Sequence, residues 1–294
     1  ATASVAAGGT LGSLIPPSIL FIIYAIFTET SVSKLFLAGV LPGLLTLAGF
    51  VLVIWVWIRV NPKLVPEQGT AATWAQKLEA VREAWPAALI FVIIVVGIYG
   101  GFFTATAAAA VSVVITTLIG FGQKRLTLQG LWEAVRETCV QTSAIFIVAA
   151  GAKIFVAAIA LTGMAPALVQ TVADAQLSPV VLLICICGVY LMLGMFLDPI
   201  GIMVLTLPLM IPMVESYDMN LIWFGVVVVK LLEISLITPP VGLNVFVIGS
   251  VIRGRVEVGE IFMGVMRFLV FDLLVLIALI AFPILSLLLP NTSF

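Results

Sequence analysis

Long apolar runs separated by short polar links dominate the chain. The first run, 1–27, is broken in its middle by Pro16-Pro17. The link Thr28-Glu29-Thr30-Ser31 leads to a spanning candidate at 35–58, and the longest polar stretch, Arg59 to Glu83, follows. That stretch sets Arg59, Lys63, Lys77 and Arg82 against Glu67, Glu79 and Glu83, and its portion 74–82 reads as a short amphipathic helix at a membrane interface. Residues 86–121 are apolar with a Gly100-Gly101 break, and 103–110 are small residues suited to close helix packing. A second amphipathic link, 123–138, carries Lys124, Arg125 and Arg136 ahead of a span at 139–161. A short mixed segment, 163–176, reads as interfacial. The runs 179–197 and 200–214 are separated by Asp198-Pro199, and the acidic loop Glu215-Ser216-Tyr217-Asp218 follows them. The run 221–250 contains a second pair, Pro239-Pro240; a loop from Arg253 to Glu260 and a last span at 261–289 complete the pattern.

This pattern predicts an all-α polytopic membrane protein. Of the 294 residues, 63% are hydrophobic and 9% charged, whereas soluble domains carry roughly 25% charged residues. At about 20 residues per crossing, the runs provide for roughly eight to ten embedded segments. The net charge of −1 says nothing of partners, and no basic stripe points to nucleic acid. There is no histidine, which removes the commonest proton shuttle and metal ligand. Cys139, Cys185 and Cys187 match no metal or disulfide framework and read as small buried hydrophobes. The chain lacks an initiator Met and a charged signal region and starts in mid-pattern, so it reads as a fragment of a longer protein. Lys and Arg in the links 59–85 and 123–138 place those links in the cytoplasm and the Glu215/Asp218 loop outside.

The two proline pairs look like copies. Each sits among Gly, Ser, Thr or Asn within an apolar run, and each is followed by a polar link and a span. Phe36-Leu37-Ala38-Gly39-Val40 also resembles Ile261-Phe262-Met263-Gly264-Val265. This repeat predicts three parts: 1–58, the remainder of a first repeat; 59–85, a cytoplasmic amphipathic link; and 86–294, a second repeat. Paired interrupted segments in corresponding halves point to a transporter binding site, and an odd number of crossings per repeat would invert the topology.

Proline has no N–H and clashes with the carbonyl four residues earlier. Pro16 and Pro17 therefore free the carbonyls of Gly12 and Ser13, and Pro239 and Pro240 free those of Ser235 and Leu236. A bare carbonyl in lipid costs several kcal/mol and survives only where protein, water or an ion meets it. With these carbonyls, Thr10, Ser13 and Ser18 give a first Na⁺ site; Ser235, Thr238 and Asn244 give a second. The competing reading is that each pair merely kinks or starts a helix. Two related copies rich in Gly and hydroxyls favour the site reading.

Charges within apolar runs are functional candidates. Asp198 before Pro199 predicts an N-cap with proline at the first helical position. Lys230 and Glu233 share a helical face, which predicts an ion pair. Lys153 has no partner close in sequence and is a weak candidate for contacting an anionic substrate. Arg267 and Asp272 are expected at the interface, near the start of the last span. Trp55, Trp57, Trp74 and Trp85 read as interface anchors. An intramembrane enzyme is a remote alternative, since no second aspartate sits in a setting like that of Asp198. A structural scaffold would not need duplicated helix breaks.

The stretches 9–18 (GTLGSLIPPS), 35–43 (LFLAGVLPG), 97–104 (GIYGGFFT), 193–199 (LGMFLDP) and 236–244 (LITPPVGLN) resemble, in order, the large membrane subunit of tripartite ATP-independent periplasmic (TRAP) transporters, the DctM-like family. The resemblance implies a Na⁺-coupled importer of small organic acids in a bacterial inner membrane. It implies an inverted-repeat, ion-transporter-like fold with broken helices and re-entrant hairpins working as an elevator. It also implies a small membrane subunit and a periplasmic substrate-binding protein as partners. By its motifs the first Na⁺ site takes in Pro16 and Pro17; the second takes in Asp198, Pro239, Pro240 and Gly242. A single-component Na⁺-coupled carboxylate carrier of the same class is the nearest alternative. Two departures stand out: family segments that precede the first proline pair are not in this chain, and Ala105 and Ala107 stand where the family usually has Pro and Glu.

Overall fold

The computed structural model describes residues 2–62, 73–252 and 256–293. Lys63 and Glu67 of the polar link, and Arg253 at the head of the last loop, lie outside the described residues. The described residues form helices without strands. Five are long and apolar enough to cross a membrane: α3 (Val32–Val60), α4 (Trp74–Tyr99), α5 (Ala105–Gly122), α6 (Leu128–Thr162) and α12 (Val258–Ala281). Four shorter apolar helices accompany them: α2 (Ile19–Thr28), α8 (Pro179–Gly194), α9 (Pro199–Glu215) and α11 (Leu243–Ile252). The others are α1 (Thr2–Thr10), α7 (Met164–Asp174), α10 (Leu221–Ser235) and α13 (Ile284–Ser293). The described residues are thus all-helical, and the chain is a multi-pass membrane protein.

Local chemistry sets most boundaries. Ser18, Thr104, Ser178, Asp198 and Asn220 each accept a backbone N–H of the helix they start, and Pro179 and Pro199 open α8 and α9. Thr73 and Gln76 form a capping box at the start of α4. The amphipathic piece 74–82 is therefore the first part of α4, not a separate interfacial helix. Likewise α6 runs unbroken from the link 123–138 into the span predicted at 139–161. The last span instead divides at Phe282-Pro283 into α12 and α13.

Contacts divide the chain into two compact units, one of Ala1–Val53 with Ile145–Phe294 and one of Ile54–Ala144. In the smaller unit α4 and α5 pack as a helical hairpin. There the Arg59 guanidinium lies 4.7 Å from the Trp55 ring centroid, and Lys77 Nζ lies 5.1 Å from that of Trp74.

The larger unit is organised around α10. Every residue from Trp223 to Ser235 is buried, and the helix packs against α2, α8, α9, α12 and α13. A helix apolar on all sides belongs inside a bundle. Lipid is as apolar as leucine, so this bundle is held by close packing and polar ties. Trp223 Nε1 donates to the Leu279 carbonyl at 2.8 Å, and the Tyr24 hydroxyl to the Leu221 carbonyl at 2.7 Å. Ala7, Leu11, Phe50 and Phe268 form a further buried cluster.

The same order of elements occurs twice in this unit. In the first copy, α1 and a 3₁₀ turn (Leu11–Ser13) precede Pro16-Pro17, α2 and α3; in the second, α10 precedes Pro239-Pro240, α11 and α12. The two short helices that follow the proline pairs, α2 and α11, each have ten residues. Packing is reciprocal: α1 lies against α11, and α10 lies against α2.

Cys139 and Cys185 are exposed on the helices and Cys187 is half-buried, so the cysteines are not the core hydrophobes expected. Their spans need no water-driven burial of a small apolar group, since lipid is as apolar as the helix interior.

Candidate functional site

The first break runs from Leu11 to Ser18. Leu14 and Ile15 N–H groups both donate to the Leu11 carbonyl, at 3.1 and 2.9 Å, which closes α1 in a tight turn. Pro16 and Pro17 then offer no N–H to Gly12 and Ser13. The Ser18 hydroxyl replaces one of those donors by donating to the Ser13 carbonyl. The same oxygen accepts the Phe21 N–H at 3.5 Å and so caps α2. Ser18 is buried, while Gly12 and Pro17 are exposed.

The second break runs from Ser235 to Gly242, and the chain itself re-satisfies the carbonyls expected to be bare. The Thr238 N–H donates to the Ser235 carbonyl at 3.2 Å, and the Asn244 N–H to the Leu236 carbonyl at 3.0 Å. The hydroxyls of Ser235 and Thr238 donate to the carbonyls of Leu232 and Ile234, at 2.6 and 2.7 Å. Each of these oxygens keeps a lone pair. Gly242 closes the turn at φ +52°, a left-handed conformation, and a Cβ there would lie 2.7 Å from the Phe262 ring.

The tip of the α8–α9 hairpin meets this second break. A cavity of about 120 Å³ is lined by Gly194 to Asp198 on one side and by Ser235, Leu236 and Val241 to Leu243 on the other. Gly194 is required there, since a Cβ would lie 2.2 Å from the Ser235 Cβ. Asp198 is the predicted N-cap: its Oδ2 accepts the Gly201 N–H at 2.9 Å, and Pro199 opens α9. Of the residues expected at the second site, Asp198, Ser235, Leu236 and Gly242 come together at this cavity, while Thr238, Pro239, Pro240 and Asn244 do not line it. Lys153 is elsewhere, exposed on α6.

The two breaks are tied to each other. Asn244 Nδ2 lies 3.4 Å from the Ala6 carbonyl. The Thr10 hydroxyl lies 2.8 Å from the Ala7 carbonyl and 3.0 Å from Glu233 Oε1, either of which accepts its proton. Glu233 belongs to a buried charge cluster. Lys230 Nζ donates to Glu233 Oε2 at 3.0 Å, to Asp272 Oδ1 at 2.6 Å and to Thr46 Oγ1 at 3.1 Å, which uses all three ammonium protons. Thr46 passes its own proton to the Pro42 carbonyl at 2.9 Å. The expected Lys230–Glu233 pair is present, but Asp272 is misplaced by the sequence reading. It is fully buried midway along α12, not at the interface, whereas Arg267 is exposed. The partner of Asp272 is 42 residues away. Its only trace in the sequence is an acid set inside an otherwise apolar run, and the earlier start of α12 moves that acid into the helix's middle.

Clustered hydroxyls and backbone carbonyls with one carboxylate, in a chain without histidine, suit a hard monovalent cation better than a transition metal. Among the described residues no group of three or more Cys, Asp or Glu could hold a metal ion.

Comparison with known proteins agrees with the motifs. Residues 1–285 match the family model of the tripartite ATP-independent periplasmic transporter, DctM component. The C4-dicarboxylate TRAP transporter large permease protein DctM of Pseudomonas aeruginosa is 35% identical over 284 residues, covering 96% of this chain and 65% of that protein. The sialic acid TRAP transporter permease protein SiaT of Haemophilus influenzae is 31% identical, covering 97% of this chain and 46% of that protein. The ectoine TRAP transporter large permease protein TeaC of Halomonas elongata is 31% identical, covering 96% of this chain and 65% of that protein. The chain thus spans less than two-thirds of the length of these relatives. With its two proline breaks, its Asp-Pro hairpin tip and a family match over nearly its whole length, the chain belongs to the DctM family of tripartite ATP-independent periplasmic transporter components.

Proposed function

We propose that the chain is part of the large membrane subunit of a Na⁺-coupled secondary transporter that imports small organic acids. The observation that carries this reading is the meeting of the Asp198 hairpin tip with the second proline break around one small cavity. One Na⁺ is held at the first break, by oxygens among Gly12, Ser13 and Ser18 shaped by Pro16 and Pro17, with Thr10 placed beside them by its contacts to the Ala7 carbonyl and Glu233. A second is held by oxygens among Asp198, Ser235, Leu236, Thr238 and Asn244, shaped by Pro239, Pro240 and Gly242. Carbonyls of unwound transporter helices coordinate coupling ions, and half-helix N-termini, here those of α2, α9 and α11, favour anionic groups. Relatives named for C4-dicarboxylates, sialic acid and ectoine support a carboxylate substrate class. Lys153 is kept as a weak candidate for substrate contact.

The twice-repeated order of elements and their reciprocal packing support inverted repeats and an elevator motion of the hairpin-bearing part. The protein works in a bacterial inner membrane with the Lys/Arg links inside, beside a small membrane subunit, and receives substrate from a periplasmic binding protein. The test is uptake by proteoliposomes holding the full-length protein and its small subunit, with C4-dicarboxylates, sialic acid and ectoine as probes. Uptake is expected only with an inward Na⁺ gradient and the binding protein, and Pro239→Ala with Pro240→Ala abolishes it. Equal uptake from K⁺ medium, or unchanged uptake by the double variant, overturns the reading. Uptake without the binding protein assigns the chain to single-component carriers instead.

A further inference from the structure

Thr10 and Glu233 touch across 223 residues, the same separation that divides Pro16 from Pro239. They are therefore equivalent positions of the two repeats, in direct contact. Equivalent positions meet where two related halves face each other about a shared axis. Thr10 directly precedes the turn bearing the Gly12 and Ser13 carbonyls, and Glu233 stands two residues before Ser235.

Glu233 is held firmly. Its Oε2 accepts from Lys230, and Lys230 is fixed in turn by Asp272 and Thr46, each of them buried. Oε1 is left as an anchored, charged acceptor at which the end of α1 docks. A hydroxyl so engaged acts on its neighbours' position more than as an ion ligand itself. α1, α11 and α13 carry no titratable side chain; of the other helices packed against α10, α12 brings the buried Asp272, α2 and α8 bring the buried Tyr24 and Tyr190, and α9 ends in Glu215.

We propose that the Thr10–Glu233 hydrogen bond couples the two proline breaks, so that occupying one cation site orders the other. Thr10 and Glu233 are positioning residues, and the inference rests on the Na⁺ reading of the breaks. An ion drawing in the Ser235–Asn244 segment fixes α10, through Glu233 it fixes α1, and the second ion then binds an already ordered site. Ordering shared in this way gives positive cooperativity, and two linked sites typically differ by roughly 5- to 150-fold in affinity when the other is filled.

The test is equilibrium binding of radiolabelled Na⁺ to the full-length protein in detergent, for the unmodified protein, Thr10→Val, Thr10→Ser and Glu233→Asp. Thr10→Val removes the hydroxyl at nearly constant volume and leaves the Lys230 cluster intact. Glu233→Asp keeps the charge for Lys230 but draws the carboxylate back from Thr10, so it asks the same question if Thr10→Val is not recovered folded. The expected result is a sigmoidal isotherm for the unmodified protein. Its Hill coefficient falls toward unity in Thr10→Val and Glu233→Asp while the number of Na⁺ bound at saturation is unchanged, and Thr10→Ser restores it; a fall in the number bound makes Thr10 a ligand and overturns the coupling. Saturable, sigmoidal binding that Thr10→Val and Glu233→Asp leave unchanged overturns the coupling but leaves the Na⁺ reading standing. A hyperbolic isotherm in the unmodified protein does the same. No saturable Na⁺ binding at all overturns the Na⁺ reading, and the coupling with it.

Discussion

Lys230 Nζ lies 2.6 Å from Asp272 Oδ1, joining α10 to α12 through two side chains with no exposed surface. Together with Glu233 it places one cation between two carboxylates, and Asp272 Oδ2 has no further hydrogen-bond partner among the described residues. Removing the cation strands both acids. Breaking a buried pair from one side typically costs about 3–5 kcal/mol, more than an ion pair gains over a well-packed apolar replacement. Lys230→Met is thus expected to lower the thermal midpoint of the full-length protein sharply. Lys230→Met combined with Asp272→Leu is expected to recover part of the loss. Thermal unfolding in detergent decides it: if Lys230→Met melts with the unmodified protein, the cluster is not holding α10 and α12 together.

The glycines of the two breaks are not equivalent in what they tolerate. Gly242 has φ +52° and would press a Cβ against Phe262 at 2.7 Å, whereas a Cβ at Gly12 meets nothing within 4 Å. Gly242→Ala is expected to cost about 1–3 kcal/mol from backbone strain and overpacking. Gly12→Ala is expected to stay within roughly 0.5 kcal/mol. Parallel melting curves of the two variants check this; equal destabilisation contradicts the assigned turn at Gly242.

Much of this was legible in the chain itself. The helix start at Asp198 and the breaks at both proline pairs follow from local chemistry that one short window contains. The Lys230–Glu233 pair was readable because both partners share one helix. What escaped is non-local. Asp272 joins Lys230 from 42 residues away, and Thr10 joins Glu233 from 223 residues away, so no spacing rule reports them. The freed carbonyls of Ser235 and Leu236 were predicted from the missing proline N–H groups. Their replacement donors come from a turn whose geometry depends on Gly242. Gly194 stands in the 193–199 motif, but nothing local reports that its lack of a Cβ is what lets α8 reach Ser235.

Ser18 joins the first break to α2 through one oxygen that donates to the Ser13 carbonyl and accepts the Phe21 N–H. Ser18→Ala removes both at once and leaves the Ser13 carbonyl with neither a helical nor a side-chain donor. Loss of an N-cap costs about 0.5–2 kcal/mol, and the half-buried Ser13 carbonyl is left to water or lipid. Ser18→Thr keeps the oxygen and is expected to retain most of the stability. Amide hydrogen exchange across 19–28 provides the local readout. Protection there should fall in Ser18→Ala and persist in Ser18→Thr, and unaltered protection in both variants contradicts the cap.

Asp198 combines a structural and a chemical role that one substitution separates. Its Oδ2 accepts the Gly201 N–H at 2.9 Å, and the side chain lines the cavity shared with Ser235 and Leu236. Asparagine caps helices about as well as aspartate but carries no charge. Asp198→Asn therefore keeps the start of α9 and removes the carboxylate from the proposed cation site. The expected outcome is a thermal midpoint within a few degrees of the unmodified protein and a loss of stabilisation by Na⁺ relative to K⁺. Asp198→Ala, which loses both roles, is expected to cost a further ~1 kcal/mol in stability. If Asp198→Asn keeps the full Na⁺-specific stabilisation, the carboxylate only caps α9, and the second cation site must be built from neutral oxygens alone.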